Sequence, residues 1–372
     1  MQPVKLSSYQ AVSLITVIIL STAILFLPAN VAQMAGRDAW FSFLLGTLFG
    51  ILNALLVSAL AQKHGGESFQ AIIETVLGTV PGKLVGMAYA SFFIIWTALV
   101  IREFASFMAT AFMPLTPISV FIIIFAATCI YSAYSGLEVI ARTGEIILPV
   151  ISFFLLVIML LQVDLIELET LLPLLRSSPA SLMRGAFLFF GWSGQVFTLL
   201  LLYPHLERPD HALRVTVISV VIASFFLVTG SIALEVVFQY PLSARLVFAL
   251  LSFVRIINIA GFLFERIDAV VILIWVAGVF VKVSFLLHIT STTITRLFNL
   301  RENRYFLFPL VILTSALSVV MFESSLELEK FINFVWPLLA FPFFAGVPLL
   351  LLLLTVLLNK DASTKQKGGG NQ

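Results

Sequence analysis

Charge is scarce in this chain. Of its 372 residues only 21 are Lys or Arg and 19 are Asp or Glu, 11% together, where a soluble domain carries about 25%. So few charges cannot coat a water-exposed surface, and 60% of the residues are hydrophobic, so a soluble globular fold is excluded. The net charge of +2 is scattered between apolar runs. A nucleic-acid surface needs a basic patch or stripe, so no nucleic-acid partner is expected. Cysteine is nearly absent: Cys129 stands alone in an apolar run, which excludes an internal disulfide and reads as a small buried hydrophobe. His64, His205, His211 and His288 are dispersed, without the helical pairing of a zinc site. No P-loop, dinucleotide fingerprint or Gly-x-Ser-x-Gly turn occurs. No metal, no cofactor and no enzymatic chemistry are expected.

What the chain has is apolar length. A helix needs about 20 apolar residues to cross the hydrocarbon of a bilayer. About ten runs meet that measure, approximately 9–33, 39–61, 83–109, 117–134, 138–162, 182–203, 214–237, 268–296, 305–322 and 332–358. The fold class is an all-α polytopic membrane protein surrounded by lipid, with one transmembrane domain over 1–358. The first run has only Lys5 before it and no small-residue cleavage site, so it reads as a retained span. Residues 71–77 and 244–259 read as short amphipathic pieces, and the link with Asp164, Glu167 and Glu169 is acidic. The polar, glycine-rich tail 359–372 is expected to be disordered. Loops on the N-terminal side hold the larger share of Lys and Arg, among them Lys63, Lys83, Arg208, Arg214, Arg296 and Arg304. Both termini are therefore expected on the cytoplasmic side.

Ten spans divide into two sets of five, about 7–162 and 180–358. An odd number per set makes the repeats run in opposite senses across the membrane. The first span of each set is interrupted, by Ser21-Thr22-Ala23 and by Gly191-Trp192-Ser193-Gly194-Gln195, and each exits through a proline, Pro28 and Pro204. Paired interruptions in matching positions point to a transporter-type site near the midplane, where half-helix N–H groups suit a carboxylate. A second reading makes Gly191 and Gly194 a close-packing face. Each glycine costs roughly 1 kcal/mol relative to alanine in a helix, and lipid tolerates broken backbone only where protein or a water-filled cavity covers it. Both readings place the stretch inside the bundle.

Several charges fall in or beside the apolar runs. Lys282 lies fourteen residues after Asp268, about 21 Å along a helix, which is past the midplane. It is a functional candidate or a lysine that snorkels to the inner surface. Glu138, Arg142 and Glu145 share one helical face, as an ion-pair ladder would. Arg102, beside Glu103, is expected at the outer interface, where an interfacial or gating role fits. Glu265, Arg266 and Asp268 open the eighth span, where acids favour the helix dipole.

Three groups of residues carry a family likeness. One is Ile24-Leu25-Phe26-Leu27-Pro28 followed by Ala35-Gly36-Arg37-Asp38-Ala39-Trp40; another is Gly136-Leu137-Glu138-Val139-Ile140-Ala141-Arg142; the third is Phe264-Glu265-Arg266-Ile267-Asp268 leading into Ile274-Trp275. From about Ser7 to the last span the chain resembles the B subunit of bacterial spore germinant receptors, a branch of the amino acid/polyamine/organocation permease superfamily. The resemblance implies a five-plus-five inverted-repeat fold with interrupted first and sixth helices. It also implies a germinant-sensing role in the inner spore membrane, beside a germinant-receptor A subunit and a lipoprotein C subunit. A small amino acid or other nutrient germinant would then sit between the interrupted helices. Ser21, Thr22, Ala23, Ile24, Gly191, Ser193, Gly194 and Gln195 would hold it, and Trp96, Thr97, Val100 and Phe197 would select its side chain. Lys282 would fill the position that a coupling cation occupies in sodium-driven relatives of the fold. The sequence departs from the family in having Ser21-Thr22 where members often carry glycine, and Gln195 in a region often acidic. The second departure favours sensing over the alternative, a proton- or cation-coupled amino-acid transporter. A structural subunit with a vestigial pocket is a third reading.

Overall fold

The computed structural model describes residues 5–161, 172–173, 175–256, 267–300 and 302–358. The acidic link after the fifth span, Phe264-Glu265-Arg266 and the tail from residue 359 lie outside the described residues. Helix α1, Ser8–Ala35, opens on a capping box in which the Ser7 side chain accepts from the Gln10 N–H and the Gln10 side chain accepts from the Ser7 N–H. A 3₁₀ turn at Gly36–Asp38 leads into α2, Ala39–Lys63. Next come α3 (Phe69–Leu77), α4 (Thr79–Ala111), α5 (Ile118–Ser135) and α6 (Leu137–Leu160). One crossing combines α7 (Pro179–Ser193), a 3₁₀ segment (Gly194–Thr198) and α8 (Leu199–Leu202). Then follow α9 (Ala212–Phe238), α10 (Ala249–Arg255), α11 (Ile267–Leu297) and α12 (Arg304–Val320).

The last crossing is built in pieces. Helices α13 (Ser325–Lys330), α14 (Trp336–Phe341) and α15 (Val347–Leu357) are joined by π-helical turns at Phe331–Val335 and Pro342–Gly346. Pro337, Pro342 and Pro348 stand in this run. A proline ring clashes with the carbonyl one turn back and removes an N–H, and a π-turn widens the helix locally at such points.

Eight helical stretches are long and apolar enough to cross a membrane. The first, Ser8–Lys63, holds both α1 and α2, and Arg304–Val320 is a shorter apolar helix. Counted so, there are ten crossings among the described residues, as the apolar runs require. This is a polytopic all-α membrane protein. Crossing α1 is buried almost all round, as is the α7–α8 crossing, whereas α5, α6 and the last crossing are mostly exposed. A helix apolar on every side belongs at the centre of a bundle. Helix α2 shows the contrast: Leu44, Leu48, Leu52 and Leu55 face outward, while Phe43, Gly46, Gly50 and Val57 face in. A Cβ at Gly46 would stand 2.6 Å from Phe189 Cδ1, and one at Gly50 2.9 Å from Ser193 Cβ. These glycines let α2 and α7 touch backbone to side chain, the small-residue packing that membranes favour.

Two expectations are corrected. Helix α1 runs unbroken through Ser21, Thr22 and Ala23 and keeps Pro28 within it. Each of the three residues carries a Cβ, and in a lipid interior an intact helical ladder satisfies every backbone group. The sixth crossing does change at Gly194, but to a 3₁₀ segment; its i→i+3 bonds tighten the helix without freeing the backbone. Of the amphipathic piece expected at 244–259, the described residues form a 3₁₀ turn at Ser243–Arg245 and then α10, and 257–259 lie outside the described residues.

The α1–α2 region is tied to the chain around α7–α9 at both ends of the bundle. On one, the Asp38 carboxylate accepts from the N–H groups of Leu175 (2.9 Å) and Ser177 (2.8 Å), ahead of α7. On the other, Leu6 N–H donates to the His205 carbonyl at 2.7 Å and Glu207 N–H donates to the Leu6 carbonyl at 2.9 Å.

Candidate functional site

The polar centre of the bundle is Thr22, midway along α1. Its Oγ1 accepts two hydrogen bonds, from Lys282 Nζ on α11 and from Trp192 Nε1 on α7, both at 2.9 Å. Lys282 is 0% exposed and reaches neither surface, so the snorkelling alternative does not apply. Its ammonium lies 5.8 Å from the centre of the Trp96 ring on α4, within cation–π range. Glu103, also on α4 and 2% exposed, lies within electrostatic range of Lys282 without an ion-pair contact. A buried ammonium without partners costs several kcal/mol. Thr22, Lys282, Trp192, Trp96 and Glu103, from four helices, are thus gathered around this node.

The break in the sixth crossing is stitched by side chains. The Gly191 carbonyl accepts from Trp336 Nε1 on α14 at 3.1 Å and from Gln195 Nε2 at 3.2 Å. Asn53 Nδ2 on α2 donates to the Gly194 carbonyl at 3.1 Å, and Ser193 Oγ donates to the Gly46 carbonyl at 3.2 Å. A Cβ at Gly191 would stand 3.0 Å from Trp336 Cδ1, and one at Gly194 3.0 Å from Phe190 Cζ and 3.1 Å from Phe344 Cδ2. The close-packing reading of these glycines is the one the geometry shows, at the point where the helix changes to a 3₁₀ segment.

Aromatic rings fill the space beside this node. Phe92 stacks on Trp336 at 5.8 Å and on Phe343 at 4.3 Å; Trp96 meets Phe344 edge-on at 5.2 Å. Phe197 stacks on Tyr89 at 5.4 Å, and Tyr89 Oη donates to the Phe343 carbonyl at 2.7 Å in the second π-turn. Trp96, Phe197, Gly191, Gln195, Thr22 and Lys282 are brought together in this way. Other sequence candidates lie elsewhere in the core. Ser21 and Ile24 line a small apolar cavity of about 20 Å³ against α6 and α11, and the Ser21 hydroxyl has no partner. Thr97 Oγ1 donates to its own helix at the Phe93 carbonyl, 2.7 Å, and Val100 and Ala23 are buried in apolar packing.

Arg102 is buried, and its Nη1 donates to the Ser318 and Val319 carbonyls, each at 3.2 Å, at the end of α12. Those are carbonyls that a helix C-terminus leaves unsatisfied, and a cation suits the dipole there. Glu103 was missed because it adjoins Arg102. The signal was present: it lies seven residues after Trp96, two helical turns along the same face. Of the expected ladder, Glu138 pairs with Arg142 at 2.7 Å, while Glu145 accepts from Gln10 Nε2 on α1 at 3.0 Å. Trp275 packs edge-on against Phe107 at 4.5 Å.

Comparison with known proteins places this geometry. Residues 5–326 match the family model described as Spore germination protein. The chain is similar to Spore germination protein KB of Bacillus subtilis (strain 168), with 26% identity over 99% of each chain. It is similar to Spore germination protein YndE of the same organism, with 25% identity over 79% of this chain and 82% of that one. Among solved structures it is similar to MhsT in complex with L-phenylalanine, with a TM-score of 0.66, 13% identity, and 96% and 90% of the two chains covered. The nucleobase-cation-symport-1 transporter Mhp1, closed on bromovinylhydantoin, gives a TM-score of 0.64 and 12% identity, with 92% and 77% covered. Both structural matches are likenesses of fold.

Proposed function

The chain belongs to the spore germination protein family, and from that premise we propose that it is a germinant-sensing subunit of the inner spore membrane. It binds a small amino acid or similar nutrient near Thr22 and Lys282. An A subunit and a lipoprotein C subunit read the result, and both of its own termini face the cytoplasm. The observation that carries this reading is the Thr22 node, where one hydroxyl couples α1, α7 and α11 around a buried ammonium. The N–H groups of Thr22, Ala23 and Ile24 belong to the intact α1 ladder, so the ligand carboxylate falls to Lys282 Nζ and the Thr22 hydroxyl. Its ammonium falls to the Gly191 carbonyl and to Gln195 Oε1, which is buried without a donor. The packed rings of Trp96, Trp336 and Phe344 describe an arrangement closed over the centre. Ligand binding favours a second arrangement in which they part. A ligand shifts such an equilibrium only by its difference in affinity for the two states, and that difference is the signal.

A second reading, a proton- or cation-coupled amino-acid transporter, draws on the Lys282–Glu103 charges inside the membrane. Proteoliposomes carrying the purified protein separate the two. Sensing expects saturable binding of a labelled amino acid with no accumulation under a proton or sodium gradient. Accumulation driven by either gradient would establish transport instead, and the absence of saturable binding across the amino acids would remove both.

A further inference from the structure

A cavity of about 270 Å³ lies between the C-terminal parts of α1 and α4 and the start of the last crossing. It shares no residue with the Thr22–Lys282 node. Phe26, Phe248 and Ile332 give it apolar walls; Asn30, Ser106 and Glu329 give it polar ones. Asn30 is 4% exposed and Ser106 5%, and the Ser106 hydroxyl has no hydrogen-bond partner. A buried polar group left unpaired costs about 1–3 kcal/mol, so an occupant that bonds to it is favoured. Such a pocket, apolar with a few convergent polar groups, is the usual form of a small-molecule site, and its volume suits a small ligand.

The chemistry of the walls selects the ligand. Glu329 Oε1 accepts from Gln33 Nε2 at 2.9 Å, and among the described residues the lining contains no Lys, Arg or His. A carboxylate or phosphate would meet a like charge with no cation to offset it. An ammonium would find the Glu329 carboxylate, the unpaired Ser106 hydroxyl and the Asn30 amide. We propose that this cavity is a second binding site, separate from the central one, for a small primary amine with a short apolar chain. The ammonium lies toward Glu329, Asn30 and Ser106, and the chain packs on Phe26 and Phe248, whose rings are 5.7 Å apart.

Cysteine protection tests this in the full-length protein in nanodiscs. With Cys129→Ala as background, Ser106→Cys places a thiol in the cavity wall and, separately, Thr110→Cys places one at its mouth. A small methanethiosulfonate bearing a quaternary ammonium should label both. Isoamylamine should slow labelling about tenfold at saturation, while isovalerate and isoamyl alcohol slow it less than about twofold, as a charge-assisted bond predicts. Glu329→Gln should raise the amine concentration for half-protection about tenfold. The proposal is overturned if neither cysteine reacts, if isovalerate protects as well as the amine, or if Glu329→Gln leaves the half-protection concentration unchanged.

Discussion

Thr22 does two jobs with one oxygen. It accepts from Lys282 and from Trp192, so Thr22→Val strands an ammonium and an indole N–H in the core. The expected loss is about 2–5 kcal/mol, read as a fall in the melting temperature of the detergent-solubilised protein. Thr22→Ser keeps the hydroxyl and should melt close to the parent. Lys282 and Glu103 are two buried ionisable groups within electrostatic range of each other. Lys282→Met leaves a lone buried carboxylate, and Glu103→Gln leaves a lone ammonium. The double variant removes both charges, so a thermodynamic cycle should show about 1–3 kcal/mol of favourable coupling. Additive effects would mean that the two charges do not sense each other. Lys282 was legible in the sequence because a lysine deep in an apolar run has few explanations. Glu103 was not, because its neighbour Arg102 offered a simpler one.

At the scale of elements, what could be read from the sequence followed from what lipid demands. Apolar length marks a crossing, so the ten crossings were legible. The change at Gly194 was legible because glycine weakens a helix whatever surrounds it. Ser21-Thr22-Ala23 misled because hydroxyl residues serve equally inside an intact membrane helix, where their side chains bond to other elements. The π-turns were written only as Pro337, Pro342 and Pro348, which signal a disturbed helix without specifying which kind. The close fit of α14 on α7 yields a prediction. Gly191→Ala brings a methyl to 3.0 Å from Trp336 Cδ1, and overpacking of this sort costs about 1–3 kcal/mol. Thermal melting should show that loss, and Trp336→Phe in the same chain should recover part of it by vacating the contact. No recovery would place the strain elsewhere.

The whole molecule depends on joints between its halves that hydropathy does not display. Asp38, part of the residues that carry the family likeness, was legible as a motif but not as a clamp. It receives the Leu175 and Ser177 N–H groups across 137 and 139 positions of sequence. Asp38→Ala should cost about 1–3 kcal/mol and speed proteolysis at residues 172–178, whereas an unchanged cleavage rate would show that the entry to α7 is anchored without it. The cavity beneath α13 was equally hidden, since it arises where four distant segments meet.

Length carries one more consequence. Helix α4 and the last crossing each span 33 residues, about 50 Å at 1.5 Å per residue, against a hydrocarbon thickness of about 30 Å. Each must lean steeply or project into the headgroups. Mismatch of this kind is energetically coupled to the bilayer at fractions of a kcal/mol per ångström. A membrane that thickens or thins therefore exerts a mechanical bias on the two helices that carry Trp96 and Trp336, and so on the packing around Thr22 and Lys282.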